Sequence, residues 1–504
     1  MARLTFAYGM KSDAASRFMA SRGTLLSIIA LTLVLFTITN LPWQLDEYDQ
    51  AKQAFTSFEM VQQNHWIYQH TPNGWVATKP PLVGWVSAGL FAITRSWELA
   101  WRLPSLFAAI ALGALIWRAA LRAFGKSAAL IAACAFALNL FTPRLATLVR
   151  TDMPLALVLF LIGAQIWNKI RTRKPWDAAD RWLIFALLTA AMLIKGPIVY
   201  VFLLPGILAY EWRRTSAHDT ASAWCGWWPW LGSLAVFLAW VIGGILLVPE
   251  FSEHVVIREF AGRFSEAIHR SQPLYFYIVQ LLYRFAPWSI MLSVLAILAA
   301  RKTYANFRGW FRNVSPEIFW LIAWSVGGLV VMSLIPSKRV DRIFPVLPPL
   351  CLLLAAQIAA FRKDPDRRHT SARLSASARI VASLVAAGYA IARVIPGYRQ
   401  HRDAFAVFGR QVRQEAAARH SRYQVVGGED EGMALYLRRT EFIEPEQAVR
   451  LWNDGEVDAL IVPDDELDGL RPRLRDAVPS RLGISEPAGN DGRRYVFLVR
   501  SPAE

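Results

Sequence analysis

Apolar runs of membrane-crossing length recur along this chain, separated by short connections rich in Lys and Arg. The first runs from about Thr24 to Leu41, and others lie near 99–118, 127–142, 152–169, 181–195, 197–211, 227–249, 284–300, 316–335, 343–361 and 378–396. A spanning helix needs about 20 apolar residues, fewer where flanking side chains snorkel or protein shelters the helix, so the pattern predicts about 11 spans. From about residue 420 the periodicity changes. Tyr423–Val426, Asp458–Val462 and Tyr495–Val499 read as strands, and 431–438, 446–453 and 465–475 as helices. The expected fold class is therefore mainly α: a polytopic membrane helical bundle over 1–396, then a linker and a small C-terminal α/β domain over 397–504.

Charge orients the bundle. Arg3, Lys11, Arg17 and Arg22 precede the first run, which reads as an uncleaved signal anchor with a cytoplasmic N-terminus. Connections then predicted to be cytoplasmic carry Arg122 and Lys126, Arg171 to Lys174, Arg213 and Arg214, Arg301 to Arg312, and Arg362 to Arg373. With an odd number of crossings, the C-terminal domain falls on the outer, periplasmic side. Two outer segments are long. Residues 42–98 mix Trp43, Trp66, Trp75 and Trp85 with charges, as interfacial helices do, and residues 250–283 read as a surface helix or lid.

Of 504 residues, 55% are hydrophobic and only 18% charged, which excludes a soluble protein of this length. The net charge of +17 could suggest nucleic acid, but the basic residues sit where the positive-inside rule puts them, and nucleic acid is set aside as a partner. The three Cys form no disulfide framework or zinc spacing.

What remains is chemistry at one boundary. Asp46 and Glu47 follow the first run, and Lys79, Asp152, Lys195 and Lys338 fall on the same outer side. An ionised carboxylate at a membrane boundary is costly unless water, a cation or a substrate compensates it. Asp152, just before Pro154, also suits a helix cap. Lys79 precedes Pro80-Pro81, and Lys195-Gly196-Pro197 breaks an apolar stretch; either Lys can snorkel, or bind phosphate. Lys338 and Arg339 form a basic cluster on the outer side, against the positive-inside bias. Arg263, Arg270, Glu266 and His269 lie in the second outer segment; His269 is a metal candidate without a ligand motif, so metal remains unassigned.

In these elements the chain resembles the GT-C membrane glycosyltransferases, in the branch of the lipid A aminoarabinose transferases and protein O-mannosyltransferases. The resemblance spans about 24–361. It rests on Asp46-Glu47, Lys79-Pro80-Pro81-Leu82, Arg102-Leu103-Pro104-Ser105, Asp152-Met153-Pro154, Lys195-Gly196-Pro197, Glu259 with Arg263-Phe264, and Ser337-Lys338 before Pro345 and Pro348. Asp49 and Gln50 stand where the aminoarabinose transferases carry Arg and Tyr, Thr78 stands where they carry a zinc-site Glu, and Phe260 replaces a common His.

The resemblance implies sugar transfer from a polyprenyl (undecaprenyl) phosphate donor to lipid A, another envelope glycan or a protein, at the periplasmic face of a bacterial inner membrane. It places Asp46, Glu47 and Asp152 as catalytic residues and Lys79, Lys195, Arg263, Arg270, Lys338 and Arg339 against the substrate phosphate. No cofactor is assigned, with a divalent metal as a secondary option. The alternative is a lipid-linked sugar flippase or transporter, which also uses broken helices and basic residues.

Overall fold

The computed structural model describes residues 22–40, 43–45, 48–215, 221–257, 272–303, 314–363, 368–400, 402–427, 431–486 and 493–501. Helices dominate. Among the described residues, six helices are long and apolar enough to cross a membrane: Trp97–Phe124, Asp152–Thr172, Trp228–Leu247, Pro316–Leu334, Val340–Lys363 and Ala376–Arg399. A seventh span arises if Phe276–Arg284 and Trp288–Leu298, bent by 105°, count as one. That bend interrupts the run expected over 284–300, at Pro287, which has no N–H to continue a helix.

The run expected over 127–142 is also divided. Its helix, Lys126–Ala137, is 12 residues long and largely buried. Asn139 then accepts the backbone N–H groups of Phe141 (2.7 Å) and Thr142 (2.8 Å), starting the separate short helix Thr142–Ala146. Elsewhere the bundle packs through small residues. A Cβ at Gly206 would stand 2.8 Å from the Trp324 Cα, and one at Gly327 would stand 2.8 Å from the Gly206 nitrogen. Helices Ile198–Thr215 and Pro316–Leu334 therefore meet backbone to backbone, a contact that a larger side chain would separate.

The first long segment between apolar runs forms the amphipathic helix Tyr48–Gln63 and the short apolar helix Leu82–Thr94, joined by a narrow loop. In the second, only the π-helical turn Ser252–Ile257 and the residues from Gln272 are described.

The C-terminal unit holds a four-stranded sheet in the order β1-β2-β4-β3, with β1 Tyr423–Val425, β2 Ala459–Pro463, β3 Ala477–Ile484 and β4 Tyr495–Arg500. β1 and β2 are parallel; β4 is antiparallel to both β2 and β3. Helices Glu431–Leu437 and Pro445–Asn453 provide the crossover that a parallel pair requires. β3 escaped the sequence reading because it carries Pro479 and Gly483 and lies at an edge, where half-exposed positions blur alternation. The helix expected over 465–475 stops at Leu470 and gives way to a 3-10 turn at Pro472.

Candidate active site

Two helix ends face each other at the centre of the site. Asp152 opens the helix Asp152–Thr172, and Lys195 closes the helix Ala178–Lys195. Gly196 ends the latter with a φ of +72°, a left-handed turn that glycine adopts without a Cβ penalty, and the chain leaves sharply. Lys195 Nζ donates to Asp152 Oδ1. A carboxylate at a helix N-terminus and an ammonium at a C-terminus each complement the local dipole, so the pair is favoured twice. The N-cap residue Thr151 makes no side-chain capping bond, and Asp152 is only 6% exposed.

A second layer surrounds this pair. Arg150, 8% exposed, donates to Asp341 Oδ2 at 2.7 Å and to Asp49 Oδ2 at 3.0 Å. Arg339 also pairs with Asp49, and Arg144 stands 3.8 Å from Asp341. Lys79, half-buried behind Pro80-Pro81, lies within electrostatic reach of both Asp49 and Asp152. Burial alone would raise the Asp49 carboxyl; the hydrogen bond from Arg339 and the charges of Lys79, Arg339 and Arg150 outweigh it and hold the group down at about 2. These described residues bring three carboxylates (Asp49, Asp152, Asp341) against five cations (Lys79, Arg144, Arg150, Lys195, Arg339). The difference of two positive charges suits a phosphate.

The Arg102-Leu103-Pro104-Ser105 element positions both sides of this layer. Arg102, 3% exposed, donates to the Trp43 carbonyl, while Ser105 Oγ donates to the Leu148 carbonyl at 2.6 Å. One helical turn thus ties the segment before Asp46 to the segment before Asp152. Gln50 reinforces the link, its Oε1 accepting the Val149 N–H at 3.2 Å.

The C-terminal unit braces the same place. The Leu45 N–H donates to Tyr436 Oη at 2.6 Å, and Arg438 lies over the Trp101 ring at 5.2 Å. Phe55, Phe58, Trp97, Phe405, Tyr436 and Phe497 share one buried apolar cluster, so the helix Tyr48–Gln63 and the sheet have a common core. Beside Thr78, a cavity of about 1000 Å³ opens between them, lined in part by Lys52, His254, Glu431, Glu466 and Arg493.

Of the residues expected from sequence, Asp152, Lys195, Lys79 and Arg339 come together. Lys338 sits apart, buried, with Nζ donating to the Gln272 carbonyl at 2.9 Å. Asp46, Glu47, Arg263, Arg270 and His269 lie outside the described residues, as do Glu259, Glu266 and Phe260. Asp341 and Arg150 were not foreseen as members of the site; the signal was an acidic residue inside the basic 338–342 stretch. Asp49 had registered only as a departure from the family pattern. Thr78, which stands where the aminoarabinose transferases that the chain resembles carry a zinc-site Glu, offers a hydroxyl in place of a carboxylate, a poor zinc donor.

Residues 78–245 match the family described as dolichyl-phosphate-mannose-protein mannosyltransferase, and residues 264–426 match the Alg9-like mannosyltransferase family. The undecaprenyl phosphate-alpha-4-amino-4-deoxy-L-arabinose arabinosyl transferase of Yersinia enterocolitica is 25% identical over 335 residues, 65% of this chain and 57% of that protein. Its counterpart in Yersinia pseudotuberculosis is 25% identical over 351 residues, 67% of this chain and 59% of that one. The matched stretch thus spans less than two thirds of those relatives. ArnT from Cupriavidus metallidurans bound to undecaprenyl phosphate superposes with a TM-score of 0.69 at 18% identity, covering 96% of this chain and 100% of that one. The apo form of the same protein gives 0.61, at 95% and 99% coverage. The chain has the fold of ArnT from Cupriavidus metallidurans.

Proposed function

We propose that the chain transfers a sugar, aminoarabinose- or hexose-like, from a polyprenyl phosphate, undecaprenyl phosphate in a bacterium, to lipid A, another envelope glycan or a protein. The observation that carries this reading is the layer around Asp152 and Lys195, where among the described residues five cations stand against three carboxylates beside the ends of apolar helices. A lipid phosphate requires that combination: apolar walls for the prenyl chain and positive charge for its head. The names of the relatives support the same donor.

In the reaction an acceptor hydroxyl attacks the anomeric carbon with inversion, and Asp46 orients it and takes its proton. The bond between that carbon and the phosphate oxygen breaks, and its electron pair leaves with the polyprenyl phosphate. Negative charge on the leaving phosphate grows towards the transition state, so Lys79, Lys195 and Arg339, with Arg263 and Arg270, stabilise the transition state more than the bound donor. Glu47 and Asp152 position sugar and acceptor groups. The cavity beside Thr78 is assigned to the acceptor.

We place about eleven spans in the inner membrane, with the N-terminus in the cytoplasm and the site and the C-terminal unit in the periplasm. Activated sugars on nucleotides do not reach that face, which accounts for a lipid-borne donor. Purified protein in liposomes carrying a labelled undecaprenyl-phosphate sugar and lipid A tests the reading. Covalent product with release of undecaprenyl phosphate supports it; movement of the lipid without covalent product for lipid, glycan or peptide acceptors overturns it.

A further inference from the structure

Away from the Asp152 layer, three side chains of the first outer segment converge. Glu59 projects from the last turns of the helix Tyr48–Gln63 and is buried. Asn64 then adopts a left-handed φ of +63°, which folds the chain back so that His65 lies over Glu59. His70 returns on a narrow loop whose two arms pair through a His70–Val76 bridge and the Ala77 N–H to the Gln69 carbonyl at 2.8 Å. One donor atom from each of Glu59, His65 and His70 lies within 4.8 Å of the other two.

The details resemble a ligand set more than a set of hydrogen bonds. His65 Nδ1 is 2.5 Å from Glu59 Oε1. His70 Nδ1 is 3.7 Å from the same oxygen, too far to bond, and this buried nitrogen has no hydrogen-bond partner. A buried polar atom left in that state is costly unless something else satisfies it. The two rings stand 4.4 Å apart and tilted by 58°, so they do not stack face to face. Zinc bound at 2.0–2.1 Å in a tetrahedron sets its ligand atoms roughly 3.3 Å apart, between the two separations observed, and side-chain rotations on the order of 1 Å close the set. Glu59 Oε2 meanwhile accepts the His70 backbone N–H at 3.3 Å, which orients the carboxylate from outside the ligand set.

We infer that Glu59, His65 and His70 bind a divalent transition ion of the zinc type, with the fourth position open to water on the exposed side of His65. The site is separate from Thr78 and stands independently of sugar transfer. Its ion ties the helix that begins beside Asp49 to the loop that leads through Ala77 to Lys79, and so fixes two groups of the cationic layer relative to each other.

The test uses the tag-free full chain in detergent, stripped with chelator, reloaded with Zn²⁺ and desalted, with zinc measured by mass spectrometry. Wild-type protein and His254→Ala should each retain one equivalent. His65→Ala, whose ring is half exposed, and His70→Ala should weaken retention by about 100-fold, and zinc should raise the melting temperature of the wild type and of His254→Ala but not of the two ligand variants. Cobalt in place of zinc should give the visible bands of a tetrahedral site in the wild type. Failure of the wild type to retain zinc, retention by His65→Ala and His70→Ala equal to that of the wild type, or loss of retention in His254→Ala would overturn the assignment.

Discussion

The charged end of the bundle and the central strands of the C-terminal unit bury opposite kinds of residue. At the bundle's end, Asp152, Asp341 and Arg150 are 5–8% exposed and charged, each held by an oppositely charged neighbour. In the C-terminal unit every residue of β2 is buried and apolar, β4 is buried up to its last residue, and the ion pairs Arg473–Glu446 and Arg422–Asp458 lie on the surface. The second pattern is what stability alone selects, since buried ion pairs rarely outdo well-packed apolar groups. The first needs another reason, and binding an anionic lipid head supplies one. The two regions are joined through Leu45 and Tyr436, so the apolar unit serves as the rigid backing of the charged one.

This contrast can be broken most severely at Asp341. Asp341→Ala leaves Arg150 and Arg144 without one of their buried partners and should lower stability by about 3–5 kcal/mol, read as a fall of several degrees in the melting temperature of the detergent-solubilised chain.

Acid offers a milder test at Asp49. Its folded value, about 2, lies below the ordinary 3.8, so its stabilisation is complete above about pH 4 and is lost as pH falls towards 2. The stake is on the order of 2 kcal/mol. Asp49→Asn should lack that part of the acid loss when melting temperature is followed from pH 5 to pH 2. The smallest effect belongs to the surface. Glu446→Gln removes a fully exposed pair with Arg473 and should leave the melting temperature unchanged within error.

Much of the site was legible because its members occupy special backbone positions. Lys79 before two prolines, Lys195 before Gly-Pro and Asp152 before Met-Pro mark helix boundaries, and boundaries on one side of a membrane share a layer. Asp341 and Arg150 were less legible because an ion pair 191 residues apart has no local signature. The Glu59, His65 and His70 cluster escaped for the same reason: its geometry depends on the reversal at Asn64, and the spacing matches no ligand motif. In the fold, long apolar helices and the two central strands were plain from hydropathy. The division at Asn139, the bend at Pro287 and the edge strand β3 arise from single hydrogen bonds, a missing donor and partial exposure, to which a hydropathy pattern is blind.

The most direct measurement is covalent sugar transfer by the Asp152→Asn variant in liposomes, with donor and product followed by mass spectrometry beside the wild type. The variant keeps the shape of the buried side chain but removes the charge opposite Lys195. Transfer should fall by about a hundredfold in protein that still melts cooperatively, with a loss of stability of the size expected for Asp341→Ala. Turnover at the wild-type rate by a folded Asp152→Asn protein would contradict the role given to the charged layer.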